Sequence, residues 1–173
     1  MVSPWYYYAS LPGYLNYNCV HIINFQTFSW NGTRYNYGYN RGGWGNSYNN
    51  RTDLDYAIDD LVDAFQNQDR RALGRVIPRS GQIDIFTNGR YDYSIDADSY
   101  YRLMLDGIYN SETRRYSIVS VETYRGSAEV VAKHEFSDPW GRRQTVYHWY
   151  RLESSRNGYE ITRFGTSDDN CWR

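Results

Sequence analysis

The amino-acid sequence predicts an α+β domain at residues 53–167, with three helices and a mostly antiparallel six-strand sheet. Three observations carry that expectation. Apolar residues recur at helical spacing across residues 54–65, an Asn88-Gly89 pair sits between two alternating runs, and after residue 115 the apolar pattern repeats every second residue. A period near 3.6 buries one stripe of a helix, whereas a period of two buries one face of a strand.

The first helix can be capped by Thr52 or Asp53, and Asp55 completes a capping-box pattern with Thr52. Leu54, Ala57, Ile58, Leu61, Ala64 and Phe65 form its apolar stripe, and its aspartates favour the positive N-terminal end. Asp69 is placed to cap a second, short helix running through Leu73, Val76 and Ile77. Pro78 closes that helix because it lacks an amide proton and clashes with the preceding turn. Asn88-Gly89 predicts a hairpin with strands at 82–86 and 90–95, since a type I′ turn needs positive φ at both central positions. Asp96 or Asp98 caps a third helix with Tyr101, Met104, Leu105 and Ile108 on one side. Strands then follow near 115–124, 127–137, 143–153 and 158–165. They are separated by turn residues at Arg125-Gly126, Asp138-Pro139-Trp140-Gly141 and Asn157-Gly158.

Composition divides the chain into three parts. Residues 1–52 contain no acidic residue and are dominated by Tyr, Asn, Gly and Trp. This extension is expected to pack on the body. Within it, residues 20–30 (VHIINFQTFSW) alternate in part and form a strand candidate that lies on the body or pairs with a sheet edge. The asparagine and glycine tract after it has too little aliphatic surface to fold alone and is read as a loop. Residues 168–173 form a tail that contains Cys171.

With 23% charged residues and a net charge of −1, the chain has no field of one sign to steer nucleic acid, and no apolar run long enough to span a membrane. Lys133 is the only lysine against eighteen arginines, a bias that suits a surface carrying twenty tyrosines. Cys19 and Cys171 are the only cysteines and belong to no C-x-x-C pair, so a disulfide between them is expected in preference to a metal site. That bond implies an oxidising compartment, periplasmic or secreted. The opening MVSPWYYYAS lacks the basic start and apolar core of a signal peptide, so export is expected on the cysteines and the composition.

The order helix, helix, hairpin, helix, four-strand meander resembles the NTF2-like, or cystatin-like, superfamily. The run AIDDLVDAFQNQDRRALGRVIPRSGQIDIF is similar to that superfamily's opening, in which a helix leads through N-x-x-D to a short second helix and the first strand. The resemblance covers the body of the chain. It implies a curved sheet wrapped round the helices, with a conical pocket open at one end. Ketosteroid isomerases, scytalone dehydratase, cyclases, transport factors and non-catalytic binding or assembly domains share this fold, which does not choose among them.

Candidate site residues follow from alternation and from that resemblance. Ala128, Val130, Ala132, His134 and Phe136 share one strand face, so His134 points inward and is a candidate acid or base. On the next strand Val146, His148 and Tyr150 alternate with Tyr147, Trp149 and Arg151, both faces are half aromatic, and the buried face stays open. His148 faces His134 in one register and not in another. Asp84 lies near where ketosteroid isomerases place their basic carboxylate, and Tyr56 can stand in for their oxyanion-hole tyrosine. Its alternation with Ile83 and Ile85 points Asp84 toward solvent. Tyr101, Met104, Val130, Phe136 and His148 are candidate pocket walls.

The function expected is that of an exported, non-catalytic domain binding a small molecule or a protein partner, with a homodimer through the sheet as one arrangement. Neither metal, cofactor nor nucleic acid is expected. One alternative is an isomerase, dehydratase or cyclase using His134 with tyrosines and Asp84, and another is an envelope or matrix protein that assembles through its aromatic leader.

Overall fold

The computed structural model of the chain describes residues 51–167, apart from 88 and 139. Helix α1 spans Asp53–Gln66, α2 Arg70–Val76 and α3 Ala97–Asn110. The strands are β1 Gln82–Thr87, β2 Arg90–Asp96, β3 Glu112–Tyr124, β4 Ser127–Ser137, β5 Arg143–Ser155 and β6 Gly158–Ser167. β4 has its sequence-predicted bounds, while β3, β5 and β6 reach two or three residues beyond theirs, since polar ladder residues at strand ends carry little apolar signal. Cys19, Cys171, the 1–50 part of the leader and the 168–173 tail lie outside the described residues.

Each helix begins at an acid or hydroxyl that satisfies otherwise orphaned amides. Of the two cap candidates for α1 the structure takes Thr52. Its Oγ1 accepts from the Asp55 amide at 3.3 Å, and its own amide donates to Asp55 Oδ2 at 2.7 Å, forming a capping box. Asp69 caps α2 by accepting from the Arg71 and Ala72 amides at 2.8 and 3.3 Å. Asp96, not Asp98, caps α3 through the Ser99 amide at 2.9 Å. Ile77 is extended at φ −97°, ψ 131°, the backbone a residue before proline prefers, and α2 stops there.

The six strands form one sheet in the order β2-β1-β6-β5-β4-β3. Every neighbouring pair is antiparallel except β1 and β6, whose parallel pairing sets Asp84 beside Arg163 and Ile85 beside Phe164. Register shifts interrupt β1–β2 between Ile85 and Phe86, β3–β4 at residues 113–115 and 118–120, and β5–β6 between Arg151 and Leu152. Such bulges add local twist and bend, which curves a long sheet over the elements packed in its concavity. Here α1 packs on β3 and β6, α2 on α1 and β6, and α3 on β1, β2 and β3.

Apolar side chains from the three helices and the inward strand face make one main core that includes Ile58, Leu61, Phe65, Ile83, Tyr150 and Ile161. The face of β5 that alternation left open is resolved on both sides. Val146, His148 and Tyr150 turn to the helices, while Tyr147 and Trp149 on the opposite face join Val131 and Phe86 in a second, smaller cluster. All five residues from Val146 to Tyr150 are buried, which explains why neither face of this strand reads as polar.

Candidate functional site

The interior of the curved sheet holds a cluster of aromatic and imidazole rings. Phe65 of α1 stacks on Tyr116 of β3, with ring centroids 4.4 Å apart and planes within 4°. His134 of β4 and His148 of β5 lie beside this pair, 5.3 and 5.0 Å from the Phe65 ring and 5.5 Å from each other. The two histidines are diagonal neighbours, because His134 pairs with Val146 and His148 with Ala132. Phe136 stacks on His134 at 4.7 Å, and Phe164 closes over His148 and Tyr150 at 5.5 and 5.3 Å.

Polar contacts within the cluster are few and short. His134 Nε2 lies 2.8 Å from the Thr113 hydroxyl. His148 Nδ1 lies 3.2 Å from the hydroxyls of both Tyr116 and Tyr150, which are 2.8 Å from one another. His148 Nε2 is buried and has no hydrogen-bond partner among the described residues. Burial pushes the His134 pKa down to about 3, and burial together with the neighbouring His134 holds His148 well below its ordinary value. Both imidazoles are thus neutral at physiological pH.

The candidate catalytic residues do not come together. His134 is 2% exposed and sits in the interior cluster. Asp84 faces the other side of the sheet, as its alternation with Ile83 and Ile85 predicts, where it accepts from Ser94 Oγ at 2.7 Å and lies 3.8 Å from Arg163 Nε. Tyr56 is 53% exposed on α1, beneath the Arg51 guanidinium at 5.3 Å. Of the expected pocket walls, Met104, Val130, Phe136 and His148 are core side chains at 0–5% exposure. Tyr101 is half-buried between α3 and α2 and donates to the Arg70 carbonyl at 3.3 Å. None of these five side chains lines the open cleft of the domain.

An open cleft of about 550 Å³ lies elsewhere, where the start of α1 and the end of α2 meet the β5–β6 turn. Ala57, Val76 and Ile77 give it an apolar floor. Arg75 closes one wall through a forked pair of bonds to Asp60, 2.6 and 2.9 Å long. Asp53, Tyr56, Arg79, Tyr159 and Glu160 supply charge of both signs and two aromatic rings around the opening. Arg79 is exposed and has no ion-pair partner among the described residues. Gly158 at φ +115° makes the turn on the rim, a conformation side chains other than glycine's rarely tolerate.

Tyr56 stands out in the sequence for a different role, whereas Arg79, Tyr159 and Glu160 do not stand out at all. Their local signals, Pro78 and Asn157-Gly158, mark turns. The packing of β6 on α1 and α2, together with its parallel pairing with β1, brings the 157–160 segment to the helices, and no local pattern encodes either. Among the described residues there is no group of three or more His, Cys, Asp or Glu placed to hold a metal, and no helix is long and apolar enough to cross a membrane.

No family model and no curated protein matches the chain. Solved structures do. A DUF4783 family protein from Bacteroides uniformis superposes with a TM-score of 0.53 at 11% identity, over 65% of this chain and 96% of that one. An NTF-2 like protein of unknown function from Shewanella oneidensis gives 0.52 at 16% identity, over 67% and 97%. The fold is NTF2-like. A structure from Rhodopseudomonas palustris (TM-score 0.51, 14% identity, 67% and 88% covered) and one from Streptomyces avermitilis (0.50, 13%, 68% and 94%) carry enzyme names, an isomerase and an NTF2-like dehydratase, that are proposals for those proteins. At such identities the likeness concerns the NTF2-like backbone and says nothing of chemistry.

Proposed function

We propose that this NTF2-like domain binds a polar ligand, or a segment of a partner protein, in the cleft between α1, α2 and the β5–β6 turn, and that it does so without catalysing a reaction. The observation that supports this most is the setting of the two interior histidines. They are 2% and 0% exposed, and among the described residues their ring nitrogens hydrogen-bond only to hydroxyls. A general acid or base must reach the substrate and titrate near the working pH. A buried imidazole with its pKa at about 3 does neither.

The cleft, by contrast, has what a binding site needs: an apolar floor with a few polar groups around it. Arg79 offers a planar fork for a carboxylate or phosphate, Asp53 and Glu160 offer acceptors for a cationic group, and the Tyr56 and Tyr159 rings offer stacking faces. A peptide carrying both an acidic and a basic side chain fits that set. Export to an oxidising compartment belongs to the same proposal and rests on Cys19 and Cys171.

Backbone-amide NMR with dipeptides of one acidic and one basic residue tests the reading. Shifts are expected to cluster at Ala57, Gly74, Gly158 and Tyr159, with affinity weakened about tenfold in Arg79→Ala, the equivalent of ~1.4 kcal/mol. Shifts centred on Tyr116, His134 and His148, or an Arg79→Ala protein that binds as tightly as wild type, would overturn it.

A further inference from the structure

The sheet has two faces, and all three helices lie on one of them. On the other, Val131, Tyr147 and Trp149 form a cluster with Phe86 across β4, β5 and β1. Gly165 makes the cluster possible. A Cβ there would stand 3.4 Å from both Phe86 Cβ and Trp149 Cε3, so the bare backbone of β6 lets the Phe86 and Trp149 rings meet at 5.7 Å. A tryptophan on an open sheet face remains substantially wetted. Yet Val131, Tyr147 and Trp149 are only 4, 8 and 5% exposed, although no described helix covers them.

Polar neighbours report the same exclusion of water. Glu129, next to Val131 on the same face of the sheet as Trp149, pairs with Arg151 at 2.9 Å with only 12% of its side chain exposed. Burial drives its carboxyl pKa up, against the pull of Arg151 and of the Trp149 indole N–H that donates to it. Two further ion pairs lie on this face, Lys133 with Glu135 at 2.7 Å and Arg163 with Asp84 at 3.8 Å. A cover that brought unpaired carboxylates would meet no free cation in those pairs.

We infer that residues 20–30 of this chain are the cover, laid as an apolar segment over Val131, Tyr147 and Trp149. This segment, VHIINFQTFSW, has the apolar and aromatic content to cover such a patch, and the whole 1–52 extension is free of acids. Length permits it. The glycine- and asparagine-rich residues 31–52 that join it to α1 reach roughly 70 Å when extended, several times the radius of gyration of roughly 13 Å expected for a body of this size. The leader then acts as a built-in partner for the sheet face, and any protein that binds that face must first displace it. This inference is independent of the cleft.

The full-length protein with p-benzoylphenylalanine in place of Tyr147 tests it. On irradiation the expected product is a cross-link within one chain, mapped by mass spectrometry to a peptide from residues 20–30, while the same probe at exposed Tyr109 of α3 gives no such link. A product of twice the mass, which would assign the face to a second copy, a link to any other peptide, or no link overturns the inference. Full-length Trp149→Ala gives a second readout. With its far-UV spectrum unchanged, chymotryptic cleavage after Phe25, Phe28 and Trp30 is expected to quicken about tenfold, which corresponds to ~1.4 kcal/mol of lost docking. An unchanged rate counts against the cover.

Discussion

Lowering the pH is expected to destabilise this protein through its buried histidines, and the size of the effect follows from one of them. His134 has a folded-state pKa of about 3 because burial removes its hydration, and its ring nitrogen meets the Thr113 hydroxyl rather than a charge. In the unfolded chain a histidine titrates near ~6.5. Between those values the unfolded state binds a proton that the folded state does not, so stability falls as pH drops through the unfolded pKa and goes on falling to the folded one. From pH ~7.5 to pH ~5 the loss from His134 alone is about 2 kcal/mol, a large part of a typical domain's stability. His134→Gln keeps a polar group near Thr113 and removes the titration. Urea unfolding of both proteins at the two pH values isolates the effect, because every other group, His148 included, is common to them. With an m-value of roughly 1–3 kcal/mol/M, the wild-type midpoint should fall by about 1 M more than that of the variant. Midpoints that move in parallel, or a His134 ring resonance that titrates near pH ~6.5, would refute the reasoning.

Phe65, fully buried and stacked on Tyr116, holds the ring cluster to α1, and Phe65→Ala is expected to lose about 3–5 kcal/mol in urea unfolding. Gly158 turns at φ +115°, and no heavy atom lies within 4 Å of the point a Cβ would occupy, so Gly158→Ala should cost ~1–2 kcal/mol through backbone strain alone, measured as a lower midpoint with unchanged m. Removing the capping hydroxyl in Thr52→Ala should cost about 1 kcal/mol by the same assay. Labelling of the thiols after unfolding without reductant tests the proposed Cys19–Cys171 bond, which predicts no labelling until reductant is added.

Much of the fold was legible because the relevant signals are local. Thr52, Asp69 and Asp96 mark helix starts by chemistry that acts within three residues, and Pro78 marks a stop in the same way. Alternation along β4 put His134 inside and that along β1 put Asp84 outside, and both stand where it placed them. What the residues did not reveal depends on contacts distant in sequence. Alternation says that His134 points inward but not that Phe65, Tyr116 and Phe136 fill the space before it. The burial of β5 on both faces was likewise unreadable, since Tyr147 and Trp149 are amphipathic enough for either side of a sheet. The cleft was hidden most completely. Its walls come from α1 and α2 on one side and the β5–β6 turn on the other, roughly eighty to a hundred residues later in the chain, and they meet through the packing of β6 on those helices and its pairing with β1.

Entry of ligands into the outer cleft, and not into the interior of the cone, is the claim on which the binding proposal depends. A crystallographic screen of small mixed-charge fragments measures this directly. The expected result is density against Tyr159 and Arg79, above the floor of Val76 and Ile77, with the Phe65, Tyr116, His134 and His148 rings unmoved. A fragment seated between His134 and His148, with Phe65 swung aside to admit it, would contradict the claim.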